Sequence, residues 1–287
     1  MKLTLALLFL ISFTAIAQDL PVKWEELRAS DWDKALEKSG YTCILPMGVI
    51  EKHGLHVPLG SDIIKARNWA TRAAEVEYAV VFPDFIYGQI FEAMHQPGTI
   101  AIPSDVLWAV LEATIEEIAR NGFEKILILN GHGGNNNFIP YFIQAQLGKR
   151  RDYALFLHSR DADPEYNAKL NQLRESDPSY DQHAGERETS EILYLRPDLV
   201  IQERADDESG KDMDRLDLPD LYTGIWWYAG FPNHYAGEGS AGSRELGKFI
   251  TEYQVESVVR ALRLIKEDDT VIELQNEYFD RVEKGFR

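Results

Sequence analysis

Apolar residues along the chain fall into two alternating rhythms. Short unbroken runs at 42–50, 79–83, 125–130 and 153–158 predict strands. The run at 125–130 is apolar at consecutive positions, as a parallel strand covered on both faces must be. Between these runs the spacing changes to 3.6. Residues 61–77 carry Ile63, Ile64, Ala66, Trp69, Ala70, Ala73 and Ala74 on one helical stripe, with Ser61 or Asp62 placed to cap it. Residues 104–120 predict an amphipathic helix that starts at a Ser104 cap and stops at Asn121-Gly122. Further helices are predicted at 136–149, at 188–195 ahead of Pro197, and at 244–267. Strand and helix in alternation imply an α/β layered sheet with right-handed crossovers, and such sheets place their sites at the carboxyl ends of the strands.

The first residues follow a different rule. Met1-Lys2 is a short basic start, 3–14 is almost wholly apolar yet too short to span a bilayer, and Ala15-Ile16-Ala17 has the small-x-small pattern. This predicts a secretory signal peptide at 1–17, cleavage before Gln18, and an exported protein, periplasmic or secreted. Residues 18–287 then suit one domain. A formal net charge of −17 argues against nucleic acid and against anionic membrane surfaces as partners. Cys43 is the one cysteine, so no intrachain disulfide is possible, and its apolar strand predicts a buried, inert thiol.

Three clusters carry the candidate chemistry. Glu51, His53 and Asp62 sit at the end of the first strand and in the loop after it. Side chains two apart on extended backbone share a direction, so Glu51 and His53 can face one centre, and a carboxylate such as Asp62 has two oxygens with which to bridge two ions. Asn130-Gly131-His132-Gly133-Gly134-Asn135 follows the most apolar strand; it lacks the Lys-Ser/Thr of a phosphate loop, and His132 at its tip reads as a ligand. His183-Ala184-Gly185-Glu186-Arg187-Glu188-Thr189-Ser190 opens a helix, where one carboxylate is an ordinary dipole partner but a His with two Glu is more than that needs. Carboxylates and imidazoles gathered at loop mouths are what a hydrolytic metal centre requires. His56, His95 and His158 read as buried structural histidines.

In order and spacing from about residue 25 to 265, these motifs, together with Pro97-Gly98-Thr99-Ile100, resemble the creatininase (creatinine amidohydrolase) family, whose first motif is E-Q-H-G-x-H-L-P-x-x-x-D. The resemblance implies a three-layer α/β/α sandwich with a mostly parallel sheet. It implies two divalent metal ions per subunit, zinc first and manganese or iron as alternatives. The implied reaction is hydrolysis of a C–N amide bond in a small molecule, with water activated by the ions, and the implied assembly is a homo-oligomer, often a hexamer. Carried over residue by residue, Glu51 and His132 hold one ion, His53 the other, and Asp62 bridges. Creatininase itself has a Glu two residues after the loop histidine, where this chain has Gly134; the second shell must be completed elsewhere, and Glu188 is the candidate. His183 and Glu186 are the candidate acid–base groups. The change at Gly134 puts creatinine itself in doubt as substrate and points to formamides, peptides or cyclic ketones.

Residues 224–239 are aromatic, glycine-rich and polar at once. They read either as a loop packed on its own aromatics or as a substrate wall in which Trp227, His234 or Tyr235 meets a polar ring. The acidic stretch 203–220 before them reads as a mobile surface loop. Two other functions stay open: a metal-assisted hydrolase of a cyclic ketone or modified sugar, and a non-catalytic binding protein on the same fold.

Overall fold

The computed structural model describes residues 20–159 and 163–285, so the signal peptide expected at 1–17 lies outside the described residues. Four strands, β1 (Thr42–Met47), β2 (Val80–Val81), β3 (Lys125–Asn130) and β4 (Ala154–Leu157), form a parallel sheet in the order β2-β1-β3-β4. The register pairs Thr42 with Lys125 and Met47 with Asn130, so β1 and β3 end side by side. The loops that leave them carry the first two clusters.

Alternation along the strands builds the layers. Cys43, Leu45, Met47, Ile126 and Ile128 pack on one face with α1 (Trp32–Ser39), α3 (Ser104–Arg120) and α4 (Phe138–Ala145). Ile44, Leu127 and Leu129 pack on the other with α2 (Ser61–Val76) and α8 (Arg244–Glu267). Helices α5 (Pro164–Leu173) and α6 (Glu186–Leu195) lie against α8, while α7 (Trp226–Gly230) and α9 (Thr270–Lys284) complete the order. This is the three-layer α/β/α sandwich. Among the described residues no helix is long and apolar enough to cross a membrane. Cys43 is buried and free, and burial pushes its thiol well above the ordinary range.

Several boundaries differ from the pattern. The first strand ends at Met47 rather than at residue 50, because Gly48 turns its N–H to the Phe85 carbonyl and the chain leaves the sheet. Neither Ser61 nor Asp62 caps α2: the Ser61 hydroxyl donates to the Pro58 carbonyl at 2.7 Å, and the Asp62 carboxylate turns inward. The cap position of α3 is Pro103, and Ser104 is its first helical residue. The acidic stretch is tethered: Lys52 pairs with Glu208 at 2.7 Å, and Gly237 donates to the Gly210 carbonyl at 3.1 Å.

Candidate metal centre

The carboxyl ends of β1 and β3 deliver the first two clusters to one point. Gly131 is what lets them meet: a Cβ there would lie 2.3 Å from the Asp62 carbonyl oxygen, so only glycine allows the β3 exit to cross the start of α2. The loop is then braced by its asparagines. The Asn130 carboxamide spans the His132 backbone, donating to its carbonyl at 2.7 Å and accepting its N–H at 3.1 Å. Asn135 bonds Asn130 and accepts the Gln89 N–H at 3.0 Å.

Backbone carbonyls orient both candidate ligand histidines. A carbonyl can only accept, so the ring nitrogen facing it carries the proton. His132 Nε2 donates to the Gln89 carbonyl at 2.8 Å, which turns Nδ1 toward Glu51 Oε1 at 2.8 Å and Asp62 Oδ2 at 3.0 Å. His53 Nδ1 donates to the Glu51 carbonyl at 3.2 Å, which leaves Nε2 facing Asp62 Oδ1 at 3.4 Å and Glu188 Oε2 at 3.7 Å. The two oxygens of Asp62 therefore face the two histidines separately. Glu51 Oε1, His53 Nε2 and Asp62 Oδ2 are buried with no hydrogen-bond partner. Buried polar atoms seldom go unpaired, and imidazole nitrogens and carboxylate oxygens converging on one point fit divalent cations. The residues thus suit the two-ion centre that the resemblance implies: Glu51, Asp62 and His132 gather on one side, and His53, His183 and Glu188 on the other, where the second oxygen of Asp62 also faces His53.

The electrostatics agree. Burial alone would lower the His53 and His132 pKa values, yet the surrounding carboxylates outweigh it, raising His53 to about 9 and His132 well above its ordinary value. Burial would raise Glu51, but His132 and His183 hold it down to about 2. Asp62 is held well below the usual carboxylate range, with Lys65 the largest influence against burial. The pocket draws positive charge.

His183 donates Nε2–H to the Lys52 carbonyl at 2.8 Å, and its Nδ1 lies 3.7 Å from Glu188 Oε2. Burial pushes its pKa down to about 4, so the ring is neutral. Ala184 beside it sits in the left-handed region at φ 55°, which turns its N–H onto Glu188 Oε2 at 2.7 Å. The other Glu188 oxygen accepts from the buried Lys65 ammonium at 2.5 Å. Burial would lower the Lys65 pKa, but Glu188 and Asp62 raise it above the ordinary value. Sequence reasoning missed Lys65. Its signal was a lysine on the stripe of α2 that otherwise holds Asp62, Ala66, Trp69 and Ala70. Gln89, whose carbonyl orients His132, carried no signal at all.

Two residues expected at the site stand elsewhere. The Glu186 carboxylate, expected beside His183, is fully buried against the preceding turn. It accepts from the Glu175 and Ser176 N–H groups at 2.6 and 2.9 Å and from the Ser176 hydroxyl at 2.6 Å, so its oxygens are engaged by the 175–176 turn. Tyr235, expected on the substrate wall, is buried, packs edge-on against His56 and accepts the Gly239 N–H at 2.7 Å. His56 is the structural histidine expected, bonded to the Thr189 hydroxyl at 2.9 Å. His95 is not buried; it lies on the cleft rim with Nε2 donating to the Pro232 carbonyl at 2.7 Å.

Trp227 and His234 do reach the centre, in different ways. The Trp227 indole donates to His234 Nδ1 at 2.8 Å, so the His234 proton sits on Nε2, which donates to Glu51 Oε2 at 2.5 Å. His234 therefore holds a ligand and is not free to be one. Trp227 is half-buried with its ring edge-on to His183, and it lines a cleft of about 1130 Å³ that also exposes Phe91, Tyr141, Tyr222, Trp226 and Tyr228. The cleft floor holds Glu51, Asp62, His132, His183 and Glu188. Gly134 faces it without room for a side chain: a Cβ would lie 2.4 Å from His132 Nε2 and 2.7 Å from the Gln89 carbonyl oxygen.

Comparison with known proteins finds the creatininase family profile, described as creatinine amidohydrolase, over residues 25–262. Creatinine amidohydrolase of Pseudomonas putida is 28% identical over 258 residues, covering 83% of this chain and 95% of that protein. A 3-dehydro-scyllo-inosose hydrolase of Thermotoga maritima is 26% identical over 247 residues, covering 78% of this chain and 77% of that one. A crystal structure of creatinine amidohydrolase superposes with a TM-score of 0.72 at 25% identity, covering 86% of this chain and 99% of that one.

Proposed function

The chain belongs to the creatininase family of amidohydrolases, and from that premise we propose that it is a metal-dependent hydrolase of a C–N amide bond. The observation that carries this reading is the trio of buried, unpartnered ligand atoms, Glu51 Oε1, His53 Nε2 and Asp62 Oδ2. We assign Glu51, Asp62 and His132 to one divalent ion and His53 and Glu188, with the other oxygen of Asp62, to a second, with zinc, manganese and iron all compatible with these nitrogen and oxygen donors. When bound, the ions supply Lewis acidity toward the scissile carbonyl and make water nucleophilic at neutral pH.

The chain's own groups do the rest. His183 is neutral, with its Nε2–H held by the Lys52 carbonyl, so the Nδ1 lone pair is the group positioned to take a proton from the attacking water and pass it to the leaving nitrogen. His234 fixes Glu51 from behind through its Nε2–H. Trp227 and the other exposed aromatic rings give a flat or apolar part of the substrate a face to stack on. A cleft of about 1130 Å³ suits a substrate much larger than a small cyclic amide.

A second reading, hydrolysis of a cyclic ketone of inositol type, draws on the extended similarity to the inosose hydrolase. Metal analysis of purified protein with a screen of amides, formamides, blocked peptides and cyclic ketones separates the readings. Turnover of an amide or peptide supports the first, turnover only of a ketone the second, and metal-free protein sinks both. We further propose export after cleavage before Gln18 and a homo-oligomeric state. N-terminal sequencing that finds Met1 on the isolated protein would end the first idea, and a monomer by light scattering the second.

A further inference from the structure

Resting on the amide reading above, we propose that Gln89 sets the substrate class. Its side-chain Oε1 is a fixed acceptor in the cleft and takes an amide N–H other than the scissile one. The site then prefers peptide-like substrates with at least two amide groups to lone amides and to N-alkylated analogues.

Gln89 is held at three points. Its backbone N–H donates to Asn135 Oδ1 at 3.0 Å, and its carbonyl accepts from His132 Nε2 at 2.8 Å. Its side-chain Nε2 donates to Glu92 Oε2 at 2.7 Å. A carboxylate can only accept, so the NH₂ group must face Glu92 and Oε1 takes the other branch. There it stands over the tip of the β3 exit loop: the Cβ that Gly134 lacks would lie 2.8 Å from Oε1. Among the described residues no group donates to Oε1. Gln89 and Glu92 are half-buried and line the cleft beside Phe91 and Tyr141. An acceptor already fixed and left open loses little freedom when a donor arrives.

Position decides which N–H it meets. The Gln89 carbonyl binds His132 Nε2, the ring nitrogen turned away from Glu51 and Asp62, whereas Nδ1 faces those carboxylates. Gln89 therefore stands on the side of the ring away from the candidate ion position. Its Oε1 meets the substrate away from the scissile carbonyl, at a neighbouring group. The cleft, about 1130 Å³, has room for that group. A carbonyl oxygen accepts and cannot donate, so an N–H suits it, while an N-methyl group or an ester oxygen leaves it unpaired.

The experiment uses one blocked dipeptide, N-acetyl-glycyl-phenylalaninamide, and its analogues with a single nitrogen methylated. Product analysis of the parent identifies the cleaved bond, and the analogues compared carry their methyl on the other nitrogens. With wild-type protein one of these analogues should raise KM about tenfold and leave kcat within a few-fold, the pattern of a lost binding contact. Gln89→Met, similar in length and without the acceptor, should raise KM for the parent by about the same factor. It should also treat parent and that analogue alike, because the contact is already gone. Glu92→Gln releases the carboxamide to rotate and should give a smaller rise in KM, several-fold. Equal KM for the parent and every analogue, an unchanged KM for the parent in Gln89→Met, or turnover of simple amides with none of the dipeptide would overturn this proposal and leave the amide reading standing. Turnover of cyclic ketones alone would overturn that reading and this proposal with it. Should Gln89→Met fail to fold, the methylated series on wild-type protein still decides.

Discussion

The floor of the cleft and its aromatic wall solve the problem of a buried polar group in opposite ways. On the floor, Glu51, His53 and Asp62 are shut from water and keep unpartnered atoms aimed at one another. On the wall, Trp227 and His234 satisfy each other, and what they leave open is aromatic surface. An unpartnered buried carboxylate is costly unless a cation completes it, whereas an exposed ring costs little until something stacks on it. On the proposed reading the floor is specified for a cation, and the wall is free to vary with the substrate. The two are joined at one place, the chain from Trp227 through His234 to Glu51.

This contrast can be broken first on the floor. Asp62→Ala removes the one carboxylate shared by both sides, so both ions and all turnover should be lost; full metal content by elemental analysis would end the bridging role. His183→Asn should leave metal content intact while kcat falls about 10²–10⁴-fold, the range for a lost general acid–base group. Loss of metal in that variant would make His183 a ligand instead, for which its Nδ1 near His53 and Glu188 is also placed. Trp227→Phe keeps a ring but removes the indole donor. It should raise KM several-fold and leave kcat within about tenfold, the pattern of lost substrate binding rather than lost chemistry. A kcat loss as large as that of His183→Asn would erase the distinction between floor and wall.

Smaller effects should appear as stability. Glu186→Gln weakens the clamp on the Glu175 and Ser176 N–H groups and should cost about 1–3 kcal/mol with metal content unchanged; metal loss would return Glu186 to the site. His56 sharpens the comparison through pH. Burial lowers its pKa from 6.5 to about 4. Between those values the unfolded chain binds the proton and the folded one does not, so stability should fall as pH drops from 6.5 toward 4. His56→Gln should flatten that part of the melting-temperature profile, and an unchanged slope would assign it to other groups.

Much of the layered fold was legible because strands and helices differ in period. The consecutive apolar run of β3 and the stripe of α2 each stated how many sides would be buried. Helices α5 and α9 escaped, although Asp163-Pro164 is a clear start: Asp163 accepts from the Glu165 and Tyr166 N–H groups. Their stripes are weak, with two and one buried residues respectively. At the site, the three clusters were visible because metal chemistry demands carboxylates and imidazoles at loop mouths. Glu186 was misread for the same reason, since nothing in the residue type tells a carboxylate facing an ion from one facing a turn.

By itself, then, the sequence determined the order of elements, the sheet that would carry the loops, and the residue types at their ends. Tertiary structure alone decided the hydrogen-bond partners, and with them the roles. His132 is oriented by a carbonyl 43 residues away, Glu188 is met by a lysine 123 residues away, and Glu51 is held by a histidine 183 residues away. Periodicity is a local property of the backbone and can be read in any window of the chain. The partner of a buried polar atom depends on which distant segments the packed layers bring within 3 Å, and no local pattern encodes that distance.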